Sequence, residues 1–312
     1  MTTVARFAFA GTTPVFLMFL TIFSVIAPVF ICSMLGWAWV KKGLAFDTPF
    51  VSRLVMEVGA PCLIFSRFME QDIDMGAFRE MAAASFVSML VFGIVGAIAL
   101  FLLRFDQRTW LPSQMFPNVG NMGLPLCLLA FGQEGLALGM TYFMVNTVFG
   151  FTIGMMITSG QVSFRELLKN PTFYSVIITV VFLFTGTKPW TWVQNTTTLL
   201  GDFTIPLMLI AMGVSLARFH ITSIKRSLLI ALMRLGFGFV IGVAVATLLG
   251  LEGTAKGVAI LQSAMPVAVF SYLFAVRYNR SPEEVAGTVV ISTVLSFLSL
   301  PLLLWYVLPA AA

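Results

Sequence analysis

Polar residues along this chain fall in short clusters, and the stretches between them are apolar for about twenty residues or more. At a rise of about 1.5 Å per residue, such a stretch as a helix crosses the roughly 30 Å of bilayer hydrocarbon. About ten stretches meet this criterion, at approximately 14–40, 50–69, 79–103, 110–131, 135–159, 171–187, 196–217, 226–250, 254–277 and 283–308. No gap between them has room for a soluble domain. The pattern predicts an all-α integral membrane protein of about ten transmembrane helices.

Two spans break the pattern. In the fourth, Phe116-Pro117-Asn118-Val119-Gly120-Asn121-Met122-Gly123-Leu124-Pro125 is polar and rich in glycine and proline. The ninth carries Leu261-Gln262-Ser263-Ala264-Met265-Pro266. Proline removes a backbone donor and displaces the carbonyl four residues earlier, and glycine lets the chain leave helical geometry at little steric cost. Backbone that is not helical survives at bilayer depth only where protein buries it or it lines a cavity, so both segments are expected to be broken helices near the working site. The N-terminus of each second half-helix carries about half a positive charge, which favours an anion such as a carboxylate. Asn118, Asn121, Gln262 and Ser263 add polar side chains without a fixed charge beside Pro125 and Pro266. Ordinary proline kinks in packed helices are the alternative for either break alone.

Composition agrees with the hydropathy pattern: 59% of residues are hydrophobic and 10% charged, with 31 Phe and 18 Met. The net charge of +5 comes from scattered residues, with no basic run of the kind that binds nucleic acid. Of the 18 Lys and Arg, twelve fall in one set of alternate loops and five in the other. By the positive-inside rule this places both termini outside a cell membrane, as in a bacterial inner membrane. Arg6 precedes an apolar run that reaches Val40, too long for the core of a cleaved leader, so it reads as the first span. Cys32, Cys62 and Cys127 lie inside spans at unrelated spacings, which suits packing rather than disulfides or a metal. There is no HExxH or GxSxG motif, and the one histidine, His220, falls in a loop, so an enzyme is not expected. No cofactor is expected either.

The chain also repeats itself. The loop 160–170, expected to be cytoplasmic, separates 1–159 from 171–312, each with five spans. Because five is odd, the second set enters the membrane in the opposite sense, an inverted repeat. Glu57 stands four residues before Pro61 in span two, as Asp202 does before Pro206 in span seven. Asn121 stands four before Pro125, as Gln262 does before Pro266. Asn146-Thr147-Val148 in span five matches Ser292-Thr293-Val294 in span ten.

These ordered motifs resemble the auxin efflux carrier family, which includes plant auxin exporters and bacterial permeases. Pro117-Asn118 with Met122-Gly123-Leu124-Pro125-Leu126 is similar to the family's first crossover. Gln262 to Pro266, then Phe274-Ala275 and Tyr278-Asn279 ahead of Pro282, is similar to its second. Arg53, Pro61, Phe65 and Arg234 match as well. The resemblance implies ten helices in two inverted repeats, with scaffold and transporter subdomains each drawn from both, and broken helices four and nine that cross at their prolines. It further implies an organic anion as substrate and a homodimer. Asn118 occupies the place of an asparagine that engages the substrate carboxylate in plant members, and Asn146 that of a polar residue near the site. The long cytosolic loop of plant members shrinks to about Gly160–Asn170, and an acidic residue early in their helix three is Ala84 here.

Charges within spans are costly and call for a partner or a task. Glu57 and Asp202 are candidates for coupling to a proton or sodium, although Glu57 is also spaced for an ion pair with Arg53. Arg234 is expected either to face the substrate or, by preference, to form an ion pair or snorkel to the interface. The expected function is a secondary carrier that moves a small carboxylate by alternating access. The resemblance leaves open an auxin-like aromatic carboxylate, a dicarboxylate or another monocarboxylate; short loops like those of the bacterial permeases favour a dicarboxylate, while the single cation near the core, Arg234, counts against it. An anion channel and a receptor that does not transport are the alternatives.

Overall fold

The computed structural model describes residues 14–70, 75–160, 171–219 and 223–310. Among these the chain is nearly all helical, and its one β feature is an isolated bridge. The helices are α1 (Pro14–Lys41), α2 (Thr48–Leu54), α3 (Ala60–Glu70), α4 (Met75–Leu102), α5 (Gln107–Met115), α6 (Leu124–Phe149), α7 (Met155–Ser159), α8 (Pro171–Thr185), α9 (Thr191–Asp202), α10 (Thr204–Arg218), α11 (Ile224–Leu248), α12 (Gly253–Ser263), α13 (Val269–Arg277) and α14 (Pro282–Ala310). Wider π-helical turns join α2 to α3 at Val55–Gly59 and α6 to α7 at Gly150–Gly154, and another leads into α6 at Val119–Gly123. The loop 161–170, with Arg165 and Lys169, and the residues Arg6 and His220 lie outside the described residues.

Seven helical segments among the described residues are long and apolar enough to cross a membrane. One runs from Val119 to Ser159 and is interrupted at Gly132, whose φ of 68° and ψ of −155° leave the helix. This is where the sequence predicts the gap between the fourth and fifth spans. The other expected spans fall on shorter pieces: α8, apolar over Phe173–Phe182, and the pair α12 and α13, separated by the second break.

Local chemistry sets the helix ends. The Asp47 carboxylate accepts from the Phe50 N–H at 2.9 Å to cap α2, and Asp106 accepts from the Thr109 N–H at 3.1 Å to cap α5. α1, α4, α11 and α13 each close with a left-handed residue, respectively Gly43, Arg104, Gly250 and Asn279. The N–H of the next residue then reaches back five positions, as from Phe105 to the Leu100 carbonyl at 2.9 Å and from Leu251 to the Ala246 carbonyl at 2.9 Å.

Packing sorts the helices into two groups. α1 lies along α10, and α3 along α8 and α9; α4 to α7 pack with α11 to α14. The α1–α10 contact is backbone on backbone: a Cβ at Gly213 would stand 1.7 Å from the Ser33 carbonyl oxygen, and one at Gly36 2.0 Å from that of Ile210. Contacts between the groups are thinner and involve α1 with α6 and α14, and α10 with the turn before α6.

Candidate functional site

Both expected breaks are present, and they meet. α5 stops at Met115, Phe116 is extended, and the Asn118 N–H donates to the Pro266 carbonyl at 2.7 Å. In return the Ala268 N–H donates to the Phe116 carbonyl at 3.2 Å, which makes Pro117 and Val267 an antiparallel bridge. The Val267 N–H is taken by the Ser292 hydroxyl at 3.2 Å. Donors that would be orphaned in an interior are thus satisfied by pairing the two breaks.

Each break leaves a helix C-terminus behind it, with carbonyls that no helical N–H reaches. Arg234 of α11 closes both. Its guanidinium, fully buried, donates to the carbonyls of Gln114 at the end of α5 and of Ser263 and Met265 at the end of α12, the last at 3.2 Å. It also lies 4.1 Å from the centre of the Phe92 ring. A buried cation costs several kcal/mol unless compensated, and here two negative helix ends and an aromatic face compensate it. The expected ion pair or snorkelling of Arg234 is therefore corrected. The side chain points into the protein, and its partners are main-chain carbonyls.

On the other side of the bridge, where α6 and α13 begin, lies a cavity of about 110 Å³. Pro117, Asn118, Val119, Gly120 and Asn121 line it from the first break, and Val269, Phe270 and Leu273 from α13. Phe143 and Thr147 of α6 contribute, and Ser52, Val55, Met56, Met208 and Ala211 come from the facing group of helices. The cavity therefore lies on the joint between the two groups. Asn118 is buried, with its amide nitrogen 3.9 Å from the Met212 sulfur. The N-terminal turns of α6 and α13 give the site a positive bias, and most of the remaining wall is apolar.

Of the residues singled out in the sequence, Asn118 and Asn121 line the cavity. Pro125 sits in the first turn of α6 and Pro266 in the bridge. Asn146 is buried one residue from the cavity-lining Thr147, and its Oδ1 has no partner among the described residues. Gln262 is packed behind the site: its amide donates to the Gly139 carbonyl at 3.2 Å, and a Cβ at Gly123 would stand 2.0 Å from its Oε1. The Ser263 hydroxyl is 3.0 Å from that of Tyr142. Glu57 is over half exposed and 3.9 Å from Arg53, and Asp202 is paired with Arg67, which also holds Glu70 at 2.6 Å. The three candidate charges thus do not converge. The wall residues Val55, Met56, Met208 and Ala211 carry no signal of their own in the sequence; the nearest residues that do are Arg53, next to Ser52, and Pro206, two positions before Met208.

Helices of this length and apolarity, folded around paired breaks, define an integral membrane protein. A family model described as "Membrane transport protein" matches residues 21–161 and 154–304. The chain belongs to this family of membrane transporters, the auxin efflux carrier family. It is 24% identical over 269 residues to an uncharacterized transporter of Methanothermobacter thermautotrophicus, covering 82% of this chain and 88% of that one. An uncharacterized transporter of Methanocaldococcus jannaschii is 23% identical over 280 residues, covering 83% and 89%. Auxin efflux carrier component 1 of Arabidopsis thaliana is 27% identical over 153 residues, 46% of this chain and 24% of the plant protein.

Proposed function

We propose that this transporter is a secondary carrier for a small organic anion, held by its carboxylate at the crossover and moved by alternating access. The observation that carries the reading is the cavity at the joint of the two helix groups, with Asn118, Asn121 and the starts of α6 and α13 at its polar end. A carboxylate there accepts hydrogen bonds from side-chain amides and from helix N-termini, while the apolar wall takes the rest of the solute. In this reading ten helices form two inverted repeats, 1–159 and 171–312, joined by the loop 160–170. α1 to α3 with α8 to α10 are the scaffold, and α4 to α7 with α11 to α14 move against it. The protein sits as a dimer in a cell membrane with both termini outside.

The test is a thermal-shift and binding screen of the purified protein against mono- and dicarboxylates at two pH values, with and without sodium. A carboxylate that stabilises the wild type but not Asn118→Ala supports the site and names the substrate, and dependence on pH or sodium identifies the coupling ion. Equal response of the two proteins removes the site assignment. Saturable counterflow of the same solute in proteoliposomes separates a carrier from a channel.

A further inference from the structure

Away from the crossover, a second and larger pocket of about 440 Å³ opens where α4 meets α5, α13 meets α14, and α11 begins. Arg104, Arg226 and Arg280 line it, with Asn279 and Ser281. Two carboxylates share the pocket and both are engaged. Asp106 accepts from the Thr109 backbone at 3.1 Å and from its hydroxyl at 2.6 Å, and Glu284 holds Arg226 at 3.2 Å. Neither carboxylate is within ion-pair distance of Arg104 or Arg280 among the described residues, and the Arg280 Nε is buried with no hydrogen-bond partner there.

The backbone supplies an independent observation. Among the described residues, those other than glycine with left-handed φ are Arg104 at 58°, Asn279 at 50° and Ser281 at 43°, and all three line this pocket. The turn after α11 closes with the same hydrogen bonds as the turn after α4, yet holds Gly250 where the latter holds Arg104. A β-carbon in this conformation is unfavourable, and such strain gathers where a side chain has a task. Leu100, Trp110, Ile230, Ala275 and Val285 form a buried apolar cluster under the rim, so the arginines project from a fixed floor.

We propose that this pocket binds a phosphate group, with Arg104 and Arg280 as its ligands. Planar guanidinium groups free of carboxylates match the oxygens of phosphate, and a net positive pocket favours the anion over a zwitterion. The phosphate comes either from an anionic lipid headgroup or from a soluble phosphate compound. The pocket lies at helix ends beside the exposed Leu102 and Leu103, level with where headgroups would reach.

The experiment is native mass spectrometry and calorimetry on the full chain with three probes: phosphatidylglycerol, phosphatidylcholine and inorganic pyrophosphate. The variants are Arg104→Gly, Arg280→Gln and, as a control outside the pocket, Lys41→Gln. Glycine suits the left-handed turn, so Arg104→Gly is expected to melt no lower than wild type and its loss of binding cannot come from misfolding. Wild type and Lys41→Gln are expected to hold phosphatidylglycerol or pyrophosphate about tenfold or more tighter than either arginine variant does, with phosphatidylcholine the weakest probe. Retention of phosphatidylglycerol alone identifies a lipid site, and retention of pyrophosphate a soluble ligand. The proposal is overturned if wild type holds neither, if the arginine variants bind as wild type does, or if Lys41→Gln loses as much as they do.

Discussion

A guanidinium that reaches the ends of two half-helices, as Arg234 does, is difficult to replace. Arg234→Met removes the donors to three buried carbonyls and the charge that two helix ends share, and is expected to cost about 3 kcal/mol or more, read as a large fall in melting temperature. Arg234→Lys keeps the charge but cannot fork between α5 and α12, so it is expected to recover only part of the loss. At the cavity, Gly123→Ala would drive a methyl group into Gln262, which packs against both Gly123 and Gly139. It is expected to weaken carboxylate binding by shifting the start of α6, with a smaller effect on stability. Melting and binding measured on the same sample separate the two effects. The sequence marked Arg234 as costly and in need of partners, but those partners are carbonyls on distant segments, and nothing near Arg234 in the chain announces them. The Arg53–Glu57 contact, by contrast, was legible because its spacing is a property of one helix.

Helix contacts differ in how closely their backbones approach. Along α1 and α10 the approach at Gly213 leaves no room for a methyl group, and the neighbour is a carbonyl that cannot rotate away. Gly213→Ala is expected to destabilise by about 1–3 kcal/mol. Gly236, inside α11, has open space around it, and Gly236→Ala is expected to be neutral or to add up to about 1 kcal/mol. A pair of melting curves checks both. The broken elements were the most legible part of the chain, since proline and glycine act where they stand. The gap between the fourth and fifth spans was legible from the polar break in the apolar pattern, and it falls at Gly132. What the pattern could not supply is the hydrogen bonding between Asn118 and Pro266, because pairing between residues so distant in the chain leaves no periodic trace.

For the whole molecule, the thin contact between the two helix groups is where the proposed motion has to occur. Phe30 of α1 and Phe297 of α14 meet edge to face across it, with ring centres 5.5 Å apart. In a background with Cys32, Cys62 and Cys127 replaced, Phe30→Cys with Phe297→Cys, bridged by a short reducible cross-linker, is expected to stop transport while carboxylate binding persists. Reduction is expected to restore flux. Full transport in the bridged protein would show that the groups do not move past each other at this contact. The division into two groups was only partly readable, since charge bias and the matched prolines indicate an inverted arrangement but not which helices share a body.

The bridge at Pro117 and Val267 is made by main chain alone, as the Asn118 N–H and the Phe116 and Pro266 carbonyls take part whatever side chains they carry. Selection can therefore alter Ser52, Met56, Thr147 or Met208 around the cavity without loosening the clasp that holds the helix starts in place. Such a site is easily retuned, because each wall substitution is tried on a frame whose closure does not depend on the wall.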